Sequence, residues 1–372
     1  MRVKLGDIFE IGSGGTPSKS HPEYYGGNIP WVKTGDLKNE YLYEVEDFIT
    51  EEGLNNSSAK MYEEDTVLIA MYGATIGATS ILKMKACTNQ ACAAFRKNEQ
   101  VIPEYLYYFL RSQKEKFVKD GVGGAQPNIS AGYLKKVEME LPSLDAQKVI
   151  VDILDKISDV VCKRSFELQS LDDLIKARFV ELFGDPELNP MGWEQVTLND
   201  VCSSIVRGAF GSALKKEFFV EPDETTYKVY EQKHAIQKSA SIGTYYITEE
   251  KYQELKRFEC LPGDILMSCS GTMGELYQLP DGCEKGVINQ ALCKFTLNER
   301  ILPICFLVYM KQTIGNLETK GSGIQNIAAV SYVKQMPINL PPMDVQNEFE
   351  QFVHQVDKSK VVVQKMARRR CE

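Results

Sequence analysis

The sequence predicts an α+β fold built twice: two pseudo-repeated mixed α/β segments, each followed by a long helix, with the two helices forming an antiparallel coiled-coil pair. Three observations predict it. Between Asp145 and Phe183 there is no Pro or Gly, and Leu154, Val161, Leu168, Ile175 and Leu182 recur every seven residues, with Ile157 and Leu171 at the three-residue offset. That spacing is the apolar seam of one helix face. Blocks of residues also recur at an offset of about 199, the mark of a duplicated unit. Finally, 372 residues leave room for two globular segments of about 150 residues, each large enough to bury a core.

The repeat is read from ordered matches. Leu141-Pro142 through Gln147 answers Leu340-Pro341 through Gln346, and each is followed by a helical pattern, the second carrying Phe349, Phe352, Val353, Val356 and Val363. Tyr72-Gly73-Ala74-Thr75-Ile76-Gly77 parallels Ser270-Gly271-Thr272-Met273-Gly274, Asn89-Gln90-Ala91 parallels Asn289-Gln290-Ala291, and Gln126-Pro127-Asn128-Ile129 parallels Gln325-Asn326-Ile327. The resulting division is a first globular domain over 1–144, a helix over 145–185, a second globular domain over 186–343 and a helix over 344–372. At about 1.5 Å per residue the first helix would run roughly 55 to 60 Å. Gly184, Asp185 and Pro186 stop it, and Arg164 and Arg178 fall on seam positions, where they weaken the seam or select a partner.

Composition narrows the function class. Ten Cys without a Cys-x-x-Cys pair, and three scattered His, suit reduced thiols packed as small apolar groups in a cytoplasmic protein and argue against a zinc site or disulfide framework. Met1–Glu10 has no apolar signal core, and the longest apolar run, Ile301–Met310, is far short of the roughly 18 residues of a membrane span. The net charge of -8 divides as -4 over residues 1–145, -2 over 146–185, -3 over 186–343 and +1 over 344–372. A self-sufficient nucleic-acid binder carries a basic excess, so a DNA-binding role would need a partner to supply part of the positive field.

Along the chain, Gly12–Lys19 lacks the Gly-Lys-Ser/Thr of a phosphate loop and reads as a solvated loop. Ile29–Leu37 and Thr66–Tyr72 read as strands, with Lys33, Thr34, Tyr72 and Thr75 at strand ends or in loops, where binding groups are displayed. Pro103–Lys119 reads as an amphipathic helix. Gln126 and Asn128 sit in a Gly-rich loop, and amides of this kind can pair with adenine edges or simply hydrogen-bond backbone and water. Between Arg207 and Phe258 no match to the first half is found. That stretch interleaves Arg207, Lys215, Lys228 and Lys233 with Tyr227, Tyr230, Tyr245 and Tyr246, a pattern of nucleic-acid surfaces that Glu217, Glu221, Glu224 and Glu231 dilute toward a solvated face.

Catalytic readings are weak. Pro222-Asp223 followed by Glu231-Gln232-Lys233 resembles a PD-(D/E)xK nuclease motif, but Thr225–Tyr230 reads as one strand between its parts. A DNA methyltransferase needs an Asn/Asp-Pro-Pro-aromatic motif, which Asn189-Pro190-Met191 and Asp185-Pro186-Glu187 both lack. Nothing supports a Ser/His/Asp or Cys/His site. The chain reads as non-catalytic, with no metal or cofactor of its own.

The duplicated domain-helix plan, Gly73–Gly77, Asn89-Gln90-Ala91, Gln126–Ser130, the Leu-Pro-x-x-x-x-Gln entrances and Phe183-Gly184-Asp185-Pro186 together resemble the specificity subunit of a type I restriction-modification enzyme. The resemblance implies two target recognition domains, each reading half of a split asymmetric sequence in double-stranded DNA, on a helix pair that sets the half-site spacing. It implies docking of two DNA adenine methyltransferase subunits and of ATP-dependent restriction subunits, with S-adenosylmethionine, ATP and Mg²⁺ held by those partners. Candidate DNA contacts are Lys33, Thr34, Tyr72, Gly73, Thr75, Asn89, Gln90, Gln126 and Asn128 in the first half. In the second they are Arg207, Lys215, Lys233, Ser270, Thr272, Asn289, Gln290, Gln325 and Asn326. Candidate helix-interface residues are Leu154, Ile157, Val161, Leu168, Leu171, Ile175, Leu182, Phe349, Val353 and Val356. One departure from the pattern concerns the second helix, which by the repeat offset is about three turns shorter than the first and basic at its end. The competing reading is a protein-binding coiled-coil scaffold without DNA specificity.

Overall fold

A computed structural model describes residues 1–121, 128–209, 213–319 and 330–368. It divides into two compact units, residues 1–162 and 163–372, and the division falls inside the long helix.

The first unit runs β1 (Arg2–Lys4), α1 (Leu5–Ile8), β2 (Ile11–Ser13), β3 (Tyr25–Val32), β4 (Tyr41–Leu42), β5 (Phe48–Ile49), α2 (Glu51–Asn55) and β6 (Met61–Tyr62). It continues through β7 (Val67–Ala70), β8 (Thr79–Leu82), β9 (Ala86–Thr88), β10 (Cys92–Phe95), α3 (Pro103–Ser112), α4 (Lys114–Asp120), α5 (Ala131–Lys136), β11 (Glu138–Glu140) and the start of α6 (Leu144–Phe183). The helix expected over Pro103–Lys119 is thus two helices, broken at Gln113. The second unit holds the rest of α6, then β12 (Glu194–Thr197), α7 (Leu198–Val201), β13 (Cys202–Arg207), β14 (Tyr227–Tyr230), α8 (Gln232–Ile236), β15 (Tyr246–Ile247), α9 (Glu249–Glu254) and β16 (Glu259–Cys260). β17 (Ile265–Ser268), β18 (Leu276–Gln278), β19 (Gly286–Ile288), β20 (Leu292–Leu297), α10 (Pro303–Thr319), α11 (Val330–Lys334), β21 (Pro337–Leu340) and α12 (Met343–Arg368) complete it.

The strand orders repeat. One sheet is β2-β10-β7-β8-β4 in the first unit and β13-β20-β17-β18 in the second; another is β5-β3-β9-β6 against β15-β14-β19-β16; a two-stranded ladder is β1-β11 against β12-β21. Both β3–β9 and β14–β19 are parallel pairs within otherwise antiparallel sheets. The stretch from Arg207 to Phe258, in which the sequence shows no repeat, therefore contains β14 and β15, counterparts of β3 and β5. Side chains there diverged while backbone pairing stayed.

Central strands are buried on both faces, which is why they read as unbroken apolar runs. Val67 and Ile69 of β7 face one core and Leu68 and Ala70 the other; on β17, Ile265 and Met267 face one core and Leu266 another. The Gly12–Lys19 segment is not a solvated loop: Gly14, Gly15 and Pro17 are buried. A Cβ on Gly14 would overlap the Thr88 carbonyl, while Trp31 Nε1 donates to Gly15 O at 3.1 Å and Tyr25 Oη to Pro17 O at 2.5 Å. Glycine is needed there for close backbone approach.

Each Leu-Pro-x-x-x-x-Gln entrance ends in a buried amide hub. Gln147 accepts from Ile102 N–H at 2.9 Å and donates to Gln100 O and Pro142 O at 2.9 and 3.0 Å. Gln346 accepts from Leu302 N–H at 2.8 Å and donates to Arg300 O and Pro341 O, both at 2.9 Å. The amide satisfies backbone groups at the start of α3 or α10 that burial would otherwise leave unpaired.

The helix seam differs from its expected form. In the second unit α6 buries Ile175, Phe179 and Phe183, four residues apart, against Phe349, Val353 and Val356 of α12, with Leu171 and Leu182 half-buried beside them. Phe179 and Phe183 stack at 4.3 Å, and each meets Phe349 at 5.4 Å. Arg178 pairs with Glu348, and Asp172 with Lys360 at 2.7 Å, so the helices run antiparallel. The heptad seam is not continuous: Ile157 and Val161 are 46% and 52% exposed, and Leu154 and Leu168 are only partly covered. The reason is register: contacts between α12 and α6 among the described residues run from Phe183 back to Asp172 and Leu171, and Ile157 and Val161 lie beyond them. Arg178 does not interrupt the seam; it flanks it, bound to Glu181 and Glu348 with its guanidinium over Phe352.

Candidate nucleic-acid interface

Connections converge at the ends of the parallel strand pair in each unit, four in the first and three in the second among the described residues. In the first, Asn89 N–H donates to Val32 O at 2.9 Å, Met71 N–H to Ala91 O at 2.8 Å and Ile129 N–H to Met71 O at 3.0 Å, and Tyr72 bridges to Asn128. In the second, Asn289 N–H donates to Tyr230 O at 3.1 Å and Cys269 N–H to Ala291 O at 2.8 Å. The structure thus brings Lys33, Thr34, Tyr72, Gly73, Thr75, Asn89, Gln90 and Asn128 to one loop cluster, and Arg207, Lys233, Ser270, Thr272, Asn289 and Gln290 to the equivalent one. No contact ties Lys215 to its cluster among the described residues; it pairs with Glu217 at 3.6 Å. Gln126, Gln325 and Asn326 lie outside the described residues.

Several candidates serve the fold. Asn89 Oδ1 accepts from Ala91 N–H and Asn289 Oδ1 from Ala291 N–H, each at 3.1 Å, so these carbonyls close turns. Thr75 Oγ1 donates to Tyr72 O at 3.1 Å. Arg207 Nε donates to Gln290 O at 3.1 Å. Gly73 and Gly77 have φ of +64° and +80°, and Gly271 and Gly274 have +61° and +81°: the same two left-handed hinges, which favour glycine, with one residue fewer between them. Tyr72, by contrast, stands 44% exposed on its turn, and the side chains of Gln90 and Gln290 are exposed, with Thr16 Oγ1 donating to Gln90 Oε1.

The lysines are compensated. Lys33 pairs with Asp47, which raises its pKa above the usual lysine range; Lys233 pairs with Glu231 at 2.6 Å and lies 5.3 Å over the Tyr245 ring. Lys228 is buried with Glu284 at 2.9 Å. The basic-aromatic stretch of the second unit is therefore stacked packing, as in Tyr227 on Tyr252 at 3.8 Å, and not a free cationic face.

Residue matching missed two equivalences in the turns. The turn after β3 is capped by Asp36 Oδ2 accepting from Lys33 N–H at 2.7 Å, and the turn after β14 by His234 Nδ1 accepting from Glu231 N–H at 2.9 Å. Asp and His share only an acceptor, so a comparison of residue types does not see the equivalence. His234 Nε2 donates to Ile242 O at 2.7 Å, and burial lowers its pKa below the usual histidine value. By the same alignment Gln232 stands where Thr34 does. Its amide donates to Ser270 O and, at 3.3 Å, to Thr272 O, and accepts from Ser270 Oγ at 3.0 Å, clamping the turn. The sequence signal for both was the polar turn directly following a β-branched and aromatic strand.

The nuclease reading finds no geometry. Asp223 precedes β14 and accepts from Thr225 N–H and Oγ1, each at 2.7 Å, whereas Glu231 follows the strand. A four-residue strand spans about 13 Å, too far for both carboxylates to bind one Mg²⁺ at about 2.1 Å. Among the described residues no group of three or more His, Cys, Asp or Glu could hold a metal ion, and no helix is long and apolar enough to cross a membrane.

A tandem α+β chain presenting two equivalent loop clusters with different tips belongs to the class of duplicated recognition proteins. The model of the type I restriction modification DNA specificity domain matches residues 1–163 and again 190–367, and this chain belongs to that family. It is 32% identical over 218 residues to the type I restriction enzyme MjaIX specificity subunit of Methanocaldococcus jannaschii, covering 53% of this chain and 50% of that one. It is 29% identical over 158 residues to the EcoR124I/EcoR124II specificity subunit of Escherichia coli, covering 41% and 39%. The matched stretch thus spans about half the length, or less, of these curated relatives. A structure from work on assembly and conformational transition of the type I R-M system shares the fold with a TM-score of 0.58 at 16% identity, covering 100% of this chain and 92% of that one. The S subunit from M. genitalium does so with a TM-score of 0.50 at 14% identity, covering 99% and 91%.

Proposed function

We propose that the chain is the sequence-reading subunit of a type I restriction-modification assembly. Residues 1–144 and 186–343 act as its two target recognition domains, and each loop cluster reads one half of a bipartite asymmetric site in double-stranded DNA. The observation that carries this reading is the pairing of one backbone frame with two sets of tips: Thr34 and Tyr72 in one unit stand where Gln232 and Ser270 stand in the other. Equal frames give two docking modes of the same kind, and unequal tips give two different half-sites. The helices over 145–185 and 344–372 would fix half-site spacing and dock the partners. Those partners are two adenine methyltransferase subunits, which flip the target base, and ATP-dependent restriction subunits in the cytoplasm. S-adenosylmethionine, ATP and Mg²⁺ act on them, and this chain performs no bond chemistry.

The test is sequencing of genomic DNA for N6-methyladenine in cells with and without the gene. Loss of one bipartite methylated motif on deletion is expected. An unchanged pattern, with duplex affinity that stays weak and sequence-independent in the presence of the partners, would favour the protein-binding scaffold instead.

A further inference from the structure

The turn that carries Tyr72 and Thr75 rests on α4, and its counterpart rests on α10 through the same kind of contact. A Cβ on Gly77 would stand 2.9 Å from Cγ of Lys114, and a Cβ on Gly274 would overlap Ile314. One unit places a cation stem beneath its turn; the other places a buried aliphatic side chain there. Lys114, Lys116 and Lys119 of α4 are all exposed, while Phe117 is buried and turns the helix's other face inward. Of the two acids on α4, Asp120 already accepts from Tyr133 Oη at 2.6 Å, and Glu115 is exposed. None of the three lysines has an ion-pair partner among the described residues, and residues 121–131 contain no acidic side chain.

In the second unit Lys216 and Lys285 are likewise exposed with no ion-pair partner among the described residues, but other lysines are held. Lys233, Lys238, Lys251 and Lys256 each hold a glutamate at 2.6 Å.

We infer that Lys114, Lys116 and Lys119 grip the sugar-phosphate backbone of duplex DNA beside the half-site read by the first unit. The inference rests on the DNA-reading function proposed above. An ammonium on a flexible stem suits a phosphate without selecting a base, and each phosphate neutralised steepens the dependence of log affinity on log salt by about 0.9.

The test uses the full chain, tagged and purified with whatever subunits accompany it. It is titrated against a duplex carrying the methylated motif and against a scrambled duplex, from about 50 to 200 mM salt. With all three lysines changed to Gln, affinity for both duplexes should fall together, their ratio should hold, and the salt slope should become shallower by two to three, about 0.9 per contact. Lys238→Gln, Lys251→Gln and Lys256→Gln together should leave the slope unchanged. If the triple α4 variant folds poorly, Lys119→Gln alone should lower the slope by about 0.9. An unchanged slope in a wild-type assembly that still discriminates the two duplexes would overturn the clamp and leave the reading function standing. Loss of accompanying subunits without loss of DNA affinity would assign the patch to a protein partner and overturn it as well. Failure of the wild-type assembly to discriminate the duplexes would sink the reading function and the clamp with it.

Discussion

The two units share strand order, amide hubs and glycine hinges, yet they finish their turns differently. In the first, the turn braces itself through Thr75 and leaves Tyr72 exposed; in the second, Gln232 reaches across and ties down Ser270 and Thr272. The contrast teaches where each kind of constraint resides. Backbone groups at the buried strand ends must be paired whatever the side chains are, so the frame persists. Side chains such as Tyr72, Gln90 and Gln290 are exposed, so such positions are free to diverge.

The comparison breaks hardest at the helix faces. Phe179→Ala should cost about 3–5 kcal/mol in a denaturant titration, because a fully buried ring leaves a cavity, whereas Ile157→Ala should stay within about 0.5 kcal/mol. Equal losses at the two positions would mean that the exposed face in the first unit is packed. At the hubs the units should behave alike. Gln147→Ala and Gln346→Ala each strand a buried backbone N–H and two carbonyls, and each should cost about 3 kcal/mol; a clear inequality between them would break the equivalence.

Acid should separate the units again. His234 has its pKa lowered by burial, so below its ordinary value of 6.5 the unfolded chain binds a proton that the folded one resists. Stability of the second unit should therefore be full above that pH and fall as the pH drops through the window between the unfolded and the lower folded pKa. Intrinsic fluorescence unfolding curves across that range should show the loss, and His234→Gln should flatten it. Gln232→Ala should cost about 1 kcal/mol, since it removes side-chain hydrogen bonds that clamp a half-buried turn. Its readout is specificity: methylation should relax at one half-site while the other keeps its sequence, and relaxation at both would refute separate reading.

Much of this plan was legible in the sequence, and the reasons differ by element. α6 and α12 announce themselves through uninterrupted apolar periodicity, and the hub glutamines through a motif whose spacing the buried amide explains. The equivalence of β3 and β14 was not legible, because parallel strands buried on both faces accept many apolar residues and the caps after them use chemically unlike acceptors. The seam was misplaced for a physical reason: Phe179, four residues from Ile175 and from Phe183, lies off the strict heptad, and burial follows the face that α12 covers. At the candidate interface, sequence named loops that the fold brings together but could not separate Asn89 and Asn289, which close turns, from Gln90 and Gln290, whose side chains are exposed. It also passed over Lys114, whose importance depends on the closeness of Gly77.

The glycine hinges carry a consequence for engineering. Segments 72–77 and 270–274 turn between matched pairs of left-handed glycines, but Ser270 and Thr272 are held by Gln232 from the turn after β14. Under the proposed reading function, transplanting either segment rewrites half of an address on DNA only when the residue at position 34 or 232 travels with it.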